Sequence, residues 1–108
     1  MIKVLLERKV PKDKYSKLIG LLNDLRAESL HQPGYVSGET LVKGEDPIEV
    51  LVISTWISED HWKAWTTNEQ CIELDQMIDS FLGAPTRFTV YKAPYPIAPV
   101  VDMAKQTV

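Results

Sequence analysis

The chain has 108 residues, of which 44% are hydrophobic and 25% charged, and its formal net charge is -3. That length bounds it to one domain, and those proportions belong to an ordinary globular protein rather than a disordered or fibrous one. Basic residues are scattered and outnumbered by acids, which excludes a partner held by counterion release from phosphates, so no nucleic-acid partner is expected.

Residues 2–8, IKVLLER, read as a first strand. Pro11 then opens a helix, and Tyr15, Leu18, Ile19, Leu22, Leu25 and Leu30 recur along it at three- and four-residue steps. HQPG at 31–34 ends it, because Pro33 disfavours helical geometry just before itself and Gly34 permits a turn. Residues 35–43 and 47–56 are β-rich runs joined by GEDP, which is hairpin chemistry, so the two should pair antiparallel. Ser58 is a natural N-cap for a short helix to about Trp65, with Glu59 and Asp60 in the turn where the helix dipole favours acids. Asn68 caps a further helix over 69–82, which GAP ends at 83–85. A last strand over 86–92 precedes a tail, 94–108, with prolines at 94, 96 and 99.

The order βαββαβ is the α+β, ferredoxin-like plan in which helices cover one face of a four-stranded antiparallel sheet. Strand three sends Ile48, Val50 and Val52 to one face and Leu51 and Ile53 to the other, and strand one repeats this with Val4 and Leu6 against Leu5. One apolar face can meet the helices; the other is expected to meet a second copy of the chain, with the stiff tail reaching across the same interface.

A single cysteine, Cys71, rules out an internal disulfide, and the start MIKVLLERK interleaves charge with apolar residues instead of preceding a signal-type run. No segment approaches the roughly 20 apolar residues that cross a bilayer. A reducing cytoplasm is the expected location, with no membrane partner. His31, His61 and one cysteine form no recognisable zinc or non-haem iron set, and no Gly-rich phosphate loop follows a strand, so no cofactor is expected from the residues.

Three stretches, QPGYVSGETLV, VISTWISEDHWKAWTTNEQ and FTVYKAP, in this order and spacing, resemble the antibiotic-biosynthesis monooxygenase family over residues 2–93. A strand ending in Trp, then Ser-Glu, then an aromatic and a Trp on the next helix, carries most of the likeness. It implies a dimeric α/β barrel. The family includes quinol and anthrone oxygenases and haem-degrading monooxygenases, so the resemblance implies a cofactor-independent monooxygenase that uses dioxygen on a small aromatic quinol, phenol or anthrone. Two alternatives stand beside it: a haem-binding or haem-degrading protein with altered ligands, and a non-catalytic dimer that holds a small apolar molecule or a regulatory partner.

Within that frame Trp65 corresponds to the family's cavity-lining Trp, and for it core and pocket wall are level readings. Trp56 and Trp62 are better read as core aromatics, since each ring buries a large area whatever the protein does, although Trp62 also stands where it can touch a substrate. His61 lies four residues before Trp65 on the same helix face. In the polyketide oxygenases an Asn there contacts substrate, which makes His61 a candidate hydrogen-bond donor, against the plainer reading of a partly exposed residue near a helix start.

Asp75 falls inside the apolar stripe Cys71, Ile72, Leu74, Ile78, Phe81 and Leu82, between Leu82 and Ile72. A carboxylate there must be paired, hydrogen-bonded or protonated, and a raised pKa would suit it to proton transfer; otherwise it reaches water at a pocket mouth. Cys71, on the same stripe, is a candidate substrate contact. Haem-degrading members place their iron-ligating His at the position of Asp75 and an Asn on strand one at that of Glu7, which makes Glu7 a further candidate contact. Arg87 alternates with Thr89 and Tyr91 on the last strand, where some aromatic oxygenases have an Arg near the substrate. It could hold a phenolate or peroxide anion, or pair with an acid across the dimer interface.

Overall fold

A computed structural model describes residues 1–94, and strand alternation decides how its sheet faces. β1 (Ile2–Val10) puts Ile2, Val4, Leu6, Arg8 and Val10 on one face and Lys3, Leu5, Glu7 and Lys9 on the other. β3 (Ile48–Trp56) pairs with it antiparallel along its whole length, from Ile2 opposite Trp56 to Val10 opposite Ile48. β2 (Tyr35–Lys43) adds to the free side of β3, with a register shift between Tyr35 and Ser37, and β4 (Arg87–Lys92) adds to β1. The sheet order is therefore β2-β3-β1-β4, all antiparallel. The expected βαββαβ architecture is observed.

Three α-helices lie on the face of Ile2 and Val4. α1 (Tyr15–Ser29) follows a 3-10 turn, Lys12–Lys14, instead of starting at Pro11, whose φ of -55° and ψ of 141° are extended. α2 (Glu59–Thr66) begins at Ser58, whose hydroxyl accepts from the His61 amide, and α3 (Glu69–Leu82) begins at Asn68, whose side chain accepts from the Gln70 amide. Gly83, at φ 70°, closes α3 in the left-handed conformation that favours glycine. Elements from β2 onward begin and end within about one residue of expectation. The α3 stripe differs: Cys71 and Ile78 are buried but Ile72 is 41% exposed, because a helix packed on a single sheet face turns its opposite side to solvent.

The core is divided in two. Ile2, Val4, Trp56, Trp65 and Cys71 cluster at one end of the sheet, and Val10, Leu18, Leu22, Val50 and Ile78 at the other. Each fully buried side chain of this kind contributes roughly 1.5–3 kcal/mol of transfer free energy. Between the clusters lies the middle of the sheet, with Leu6 and Arg8 beside Val52 and Ser54.

The outer face carries Leu5, Leu51 and Ile53 half-buried at its centre and Leu41 and Tyr91 exposed, amid Lys3, Glu7, Lys9, Glu49 and Arg87. The proline-rich tail expected to cross this face lies, from residue 95 onward, outside the described residues. Among the described residues no helix is long and apolar enough to cross a membrane.

Candidate functional site

The gap between the two core clusters is a cavity of about 550 Å³. Its floor is the middle of the sheet, where Gly38 and Thr40 of β2, Val52 and Ser54 of β3 and Leu6 and Arg8 of β1 face the helices. α1 closes one side with Leu22 and Leu25, and α2 and α3 close the other with Trp62, Trp65, Cys71 and Asp75. Small residues on β2 leave this room: a side chain at Gly38 would strike the Tyr35 hydroxyl.

All three tryptophans line the cavity, each in its own way. Trp56 is 1% exposed, donates its indole N–H to Ser54 Oγ at 3.2 Å and meets Tyr35 edge-on at 5.3 Å between ring centroids. Trp65 is buried as well and belongs to the core cluster, so both of its level readings, core and cavity wall, describe it. Trp62, expected in the core, is half-buried at the rim against Phe88, ring centroids 5.4 Å apart, because β4 is an edge strand and leaves Phe88 59% exposed. The aromatic residues wall the space without filling it. Phe81, which could have plugged it, lies instead near the Lys14 and Lys17 ammonium groups.

Asp75 and Cys71 stand one helical turn apart on α3, with Cys71 Sγ 3.6 Å from Asp75 Oδ2. Burial raises the Asp75 carboxyl above the ordinary carboxylate range, the charge of Arg8 and the Cys71 thiol draw it back in part, and Asp79 adds to the rise. Burial, and then the neighbouring Asp75, pushes the Cys71 thiol up to about 12, so Cys71 stays protonated and is no nucleophile at neutral pH.

Sequence reasoning missed Arg8. It is 5% exposed, donates through Nε to Thr86 Oγ1 at 3.0 Å, and has no hydrogen-bond partner for Nη1 or Nη2 among the described residues. Thr86 is itself held, its hydroxyl donating to Asp79 Oδ1 at 2.8 Å and its amide donating to the same oxygen at 3.1 Å. The chain Asp79, Thr86, Arg8 thus fixes one edge of the guanidinium and leaves the other edge without a partner. Burial lowers the guanidinium's pKa from its ordinary value, with Asp75 and then Asp79 opposing. The signal was present: Arg8 continues the inward alternation of Val4 and Leu6, and Val10 resumes it two residues later.

Three expected site residues are elsewhere. Glu7 and Arg87 face each other across the β1–β4 register on the outer side of the sheet, one residue out of phase with the cavity-facing Arg8 and Phe88. His61 does not line the cavity: its Nδ1 lies 2.6 Å from Ser58 Oγ, and its ring packs against Gly34. His31 is exposed. With no imidazole facing the cavity, the residues present do not fit an iron-ligating histidine, and among the described residues no three His, Cys, Asp or Glu side chains are grouped to hold a metal ion.

The family model described as antibiotic biosynthesis monooxygenase matches residues 1–74. The fold is similar to a conserved protein from Methanosarcina mazei Go1, with TM-score 0.76, 19% identity and coverage of 84% of this chain and 90% of that one. It is similar also to the monooxygenase from the gene ActVA-Orf6 of Streptomyces coelicolor, solved with the ligand nanaomycin D (TM-score 0.75, 17% identity, 91% of each chain). The cofactor-independent oxygenase SnoaB of Streptomyces nogalater matches with TM-score 0.73 and 12% identity over 91% of this chain and 98% of that one. A comparison with curated proteins gives no sequence match.

Proposed function

The chain belongs to the antibiotic biosynthesis monooxygenase family, and from that premise we propose that it is a cofactor-independent monooxygenase acting on a small aromatic quinol, phenol or anthrone. One observation carries the reading: an aromatic-walled cavity of about 550 Å³ is lined by a carboxyl, Asp75, that burial has made more basic than usual. SnoaB, described as a cofactor-independent oxygenase, and the ActVA-Orf6 monooxygenase, solved with nanaomycin D, share this fold and support this reading.

Trp62 and Trp65 sandwich the ring system, and Cys71 contributes a neutral, polarisable contact. Asp75 accepts the acidic proton of the substrate, and the positive field of Arg8 favours the resulting anion. The anion passes an electron to dioxygen, the two radicals combine, and loss of water completes the turnover. With a quinol, one oxygen atom enters the ring and the other leaves as water. All four electrons come from the substrate, two from the ring C–H and two from quinol oxidation to quinone, so no external reductant is required.

A second copy of the chain on the outer sheet face completes the proposal, since Leu5, Leu51 and Ile53 form an apolar centre that a monomer would leave wet. The buried thiol of Cys71 suits a reducing compartment such as the cytoplasm.

The test is oxygen uptake by the metal-free protein with a panel of hydroquinones and anthrones. Asp75→Asn should lower kcat by about a hundredfold, the usual scale of a lost general base, and Trp62→Ala, at the half-buried rim, should raise KM. Uptake that neither variant alters would place the chemistry elsewhere, and no uptake from any substrate would remove the oxygenase reading.

A further inference from the structure

The proposed function leaves Arg8 with only a field to supply, and its geometry is more specific than that. A buried guanidinium with unmade hydrogen bonds is costly, and buried polar groups in native proteins are nearly always paired. Arg8 is not short of neighbours that could have been acids: Asp75 and Asp79 are both close enough to raise its pKa, yet neither forms a salt bridge with it among the described residues. Asp79 is committed to Thr86, and Asp75 is engaged by Cys71. Thr86 holds Nε, so the two Nη groups are a planar pair of donors with no partner among the described residues and almost no solvent exposure, beside a cavity that Arg8 lines and whose walls are otherwise mostly apolar.

We infer that this edge of Arg8 is the seat of a ligand carboxylate, so that the compound the cavity takes is an aromatic acid, its carboxylate held by Nη1 and Nη2 and its ring lying between Trp62 and Trp65. Two parallel N–H donors match the two oxygens of a carboxylate, a fit that a lysine ammonium does not reproduce. The inference rests on the reading of the cavity as the substrate site and names the substrate's class more closely: an oxidisable aromatic ring that also carries a carboxylate.

The cavity has charge to accommodate such a group. The titratable and charged residues that border it are Arg8 of β1, Arg26 of α1, Glu39 of β2, and Cys71, Asp75 and Asp79 of α3; Glu39 shares the outer face with Ile53, Arg26 is solvent-exposed, and Cys71 is neutral. Asp75 is the group that a bound carboxylate would most disturb. Its pKa, already raised by burial, would be raised further by a second carboxylate, which strengthens it as a base.

The experiment is calorimetric titration of the full chain with naphthoate and with naphthamide, which share ring and shape and differ in charge. Wild-type protein should bind naphthoate at least about tenfold more tightly than the amide, the scale of hydrogen bonds to a charged group, and Arg8→Gln should abolish the preference. Arg8→Lys should keep only part of it. Equal or weaker binding of naphthoate by the wild-type protein overturns the inference whether or not the variants fold. Naphthyl phosphate binding more tightly than naphthoate overturns the carboxylate as the recognised group. Because binding is read without turnover, the two readings separate: a chain that consumes no oxygen yet prefers naphthoate keeps the seat and loses the oxygenase, while one that oxidises neutral quinols yet binds the pair equally loses the seat alone.

Discussion

Arg8 shows how far a strand pattern reaches and where it stops. Ending β1 at residue 8 makes a charged last residue look like a solvated strand end, whereas the strand runs to Val10 and pairs with Ile48, which places Arg8 inside. Asp75 was legible because helical spacing alone sets a carboxyl among apolar neighbours. Its effect on stability has a definite sign. Burial lifts the folded-state value above that of the unfolded chain, so the stability this carboxyl contributes is complete below the ordinary aspartate range and is lost as pH rises through the lifted value. Asp75→Asn carries no such titration, and its thermal midpoint should fall less than that of the wild-type protein between acidic and neutral pH. Gly34 offers a sharper test. At φ 85° a substitution is strained, and a Cβ there would collide with the His61 ring. Gly34→Ala should therefore cost about 3 kcal/mol or more in urea unfolding, and in a His61→Gly background, which removes ring and Cβ alike, only the left-handed penalty of roughly 1–2 kcal/mol should remain.

Helices and strands were legible because each is punctuated by a residue with one dominant use: Ser58 and Asn68 as caps, Gly83 as a left-handed stop, Gly44 in the hairpin. The cavity was not, since it is the space left between the helices and the middle of the sheet, a spacing that no local pattern encodes. For the same reason Trp62 stands at the rim where a core position was the better reading: which of two neighbouring positions on α2 reaches the rim depends on how α2 lies against the edge strand β4. Ser58 sets that placement, as its hydroxyl both accepts from the His61 amide and meets the His61 ring. Ser58→Ala should lower stability by about 1 kcal/mol, the usual worth of a cap, and Ser58→Asp should recover most of it. Loosening α2 should also weaken ligand binding in Ser58→Ala more than its small effect on folding would suggest.

At the scale of the whole molecule, the sheet has one face under helices and one without cover among the described residues. Its outer centre pairs Leu5 with Ile53 and Leu41 with Leu51 in register. The proposed dimer buries that centre, so Ile53→Asp should halve the mass seen by light scattering and remove any dependence of the thermal midpoint on protein concentration. The glutamate and arginine first sought in the pocket, Glu7 and Arg87, belong to this outer surface, and their substitution should change association before it changes turnover. The chain has three tryptophans, and all of them border the same cavity. Emission excited through indole alone therefore comes from no other part of the protein. Any occupant stacked on those rings would quench or shift the entire signal, which makes the unlabelled protein its own optical reporter of what enters the cavity and how fast it leaves.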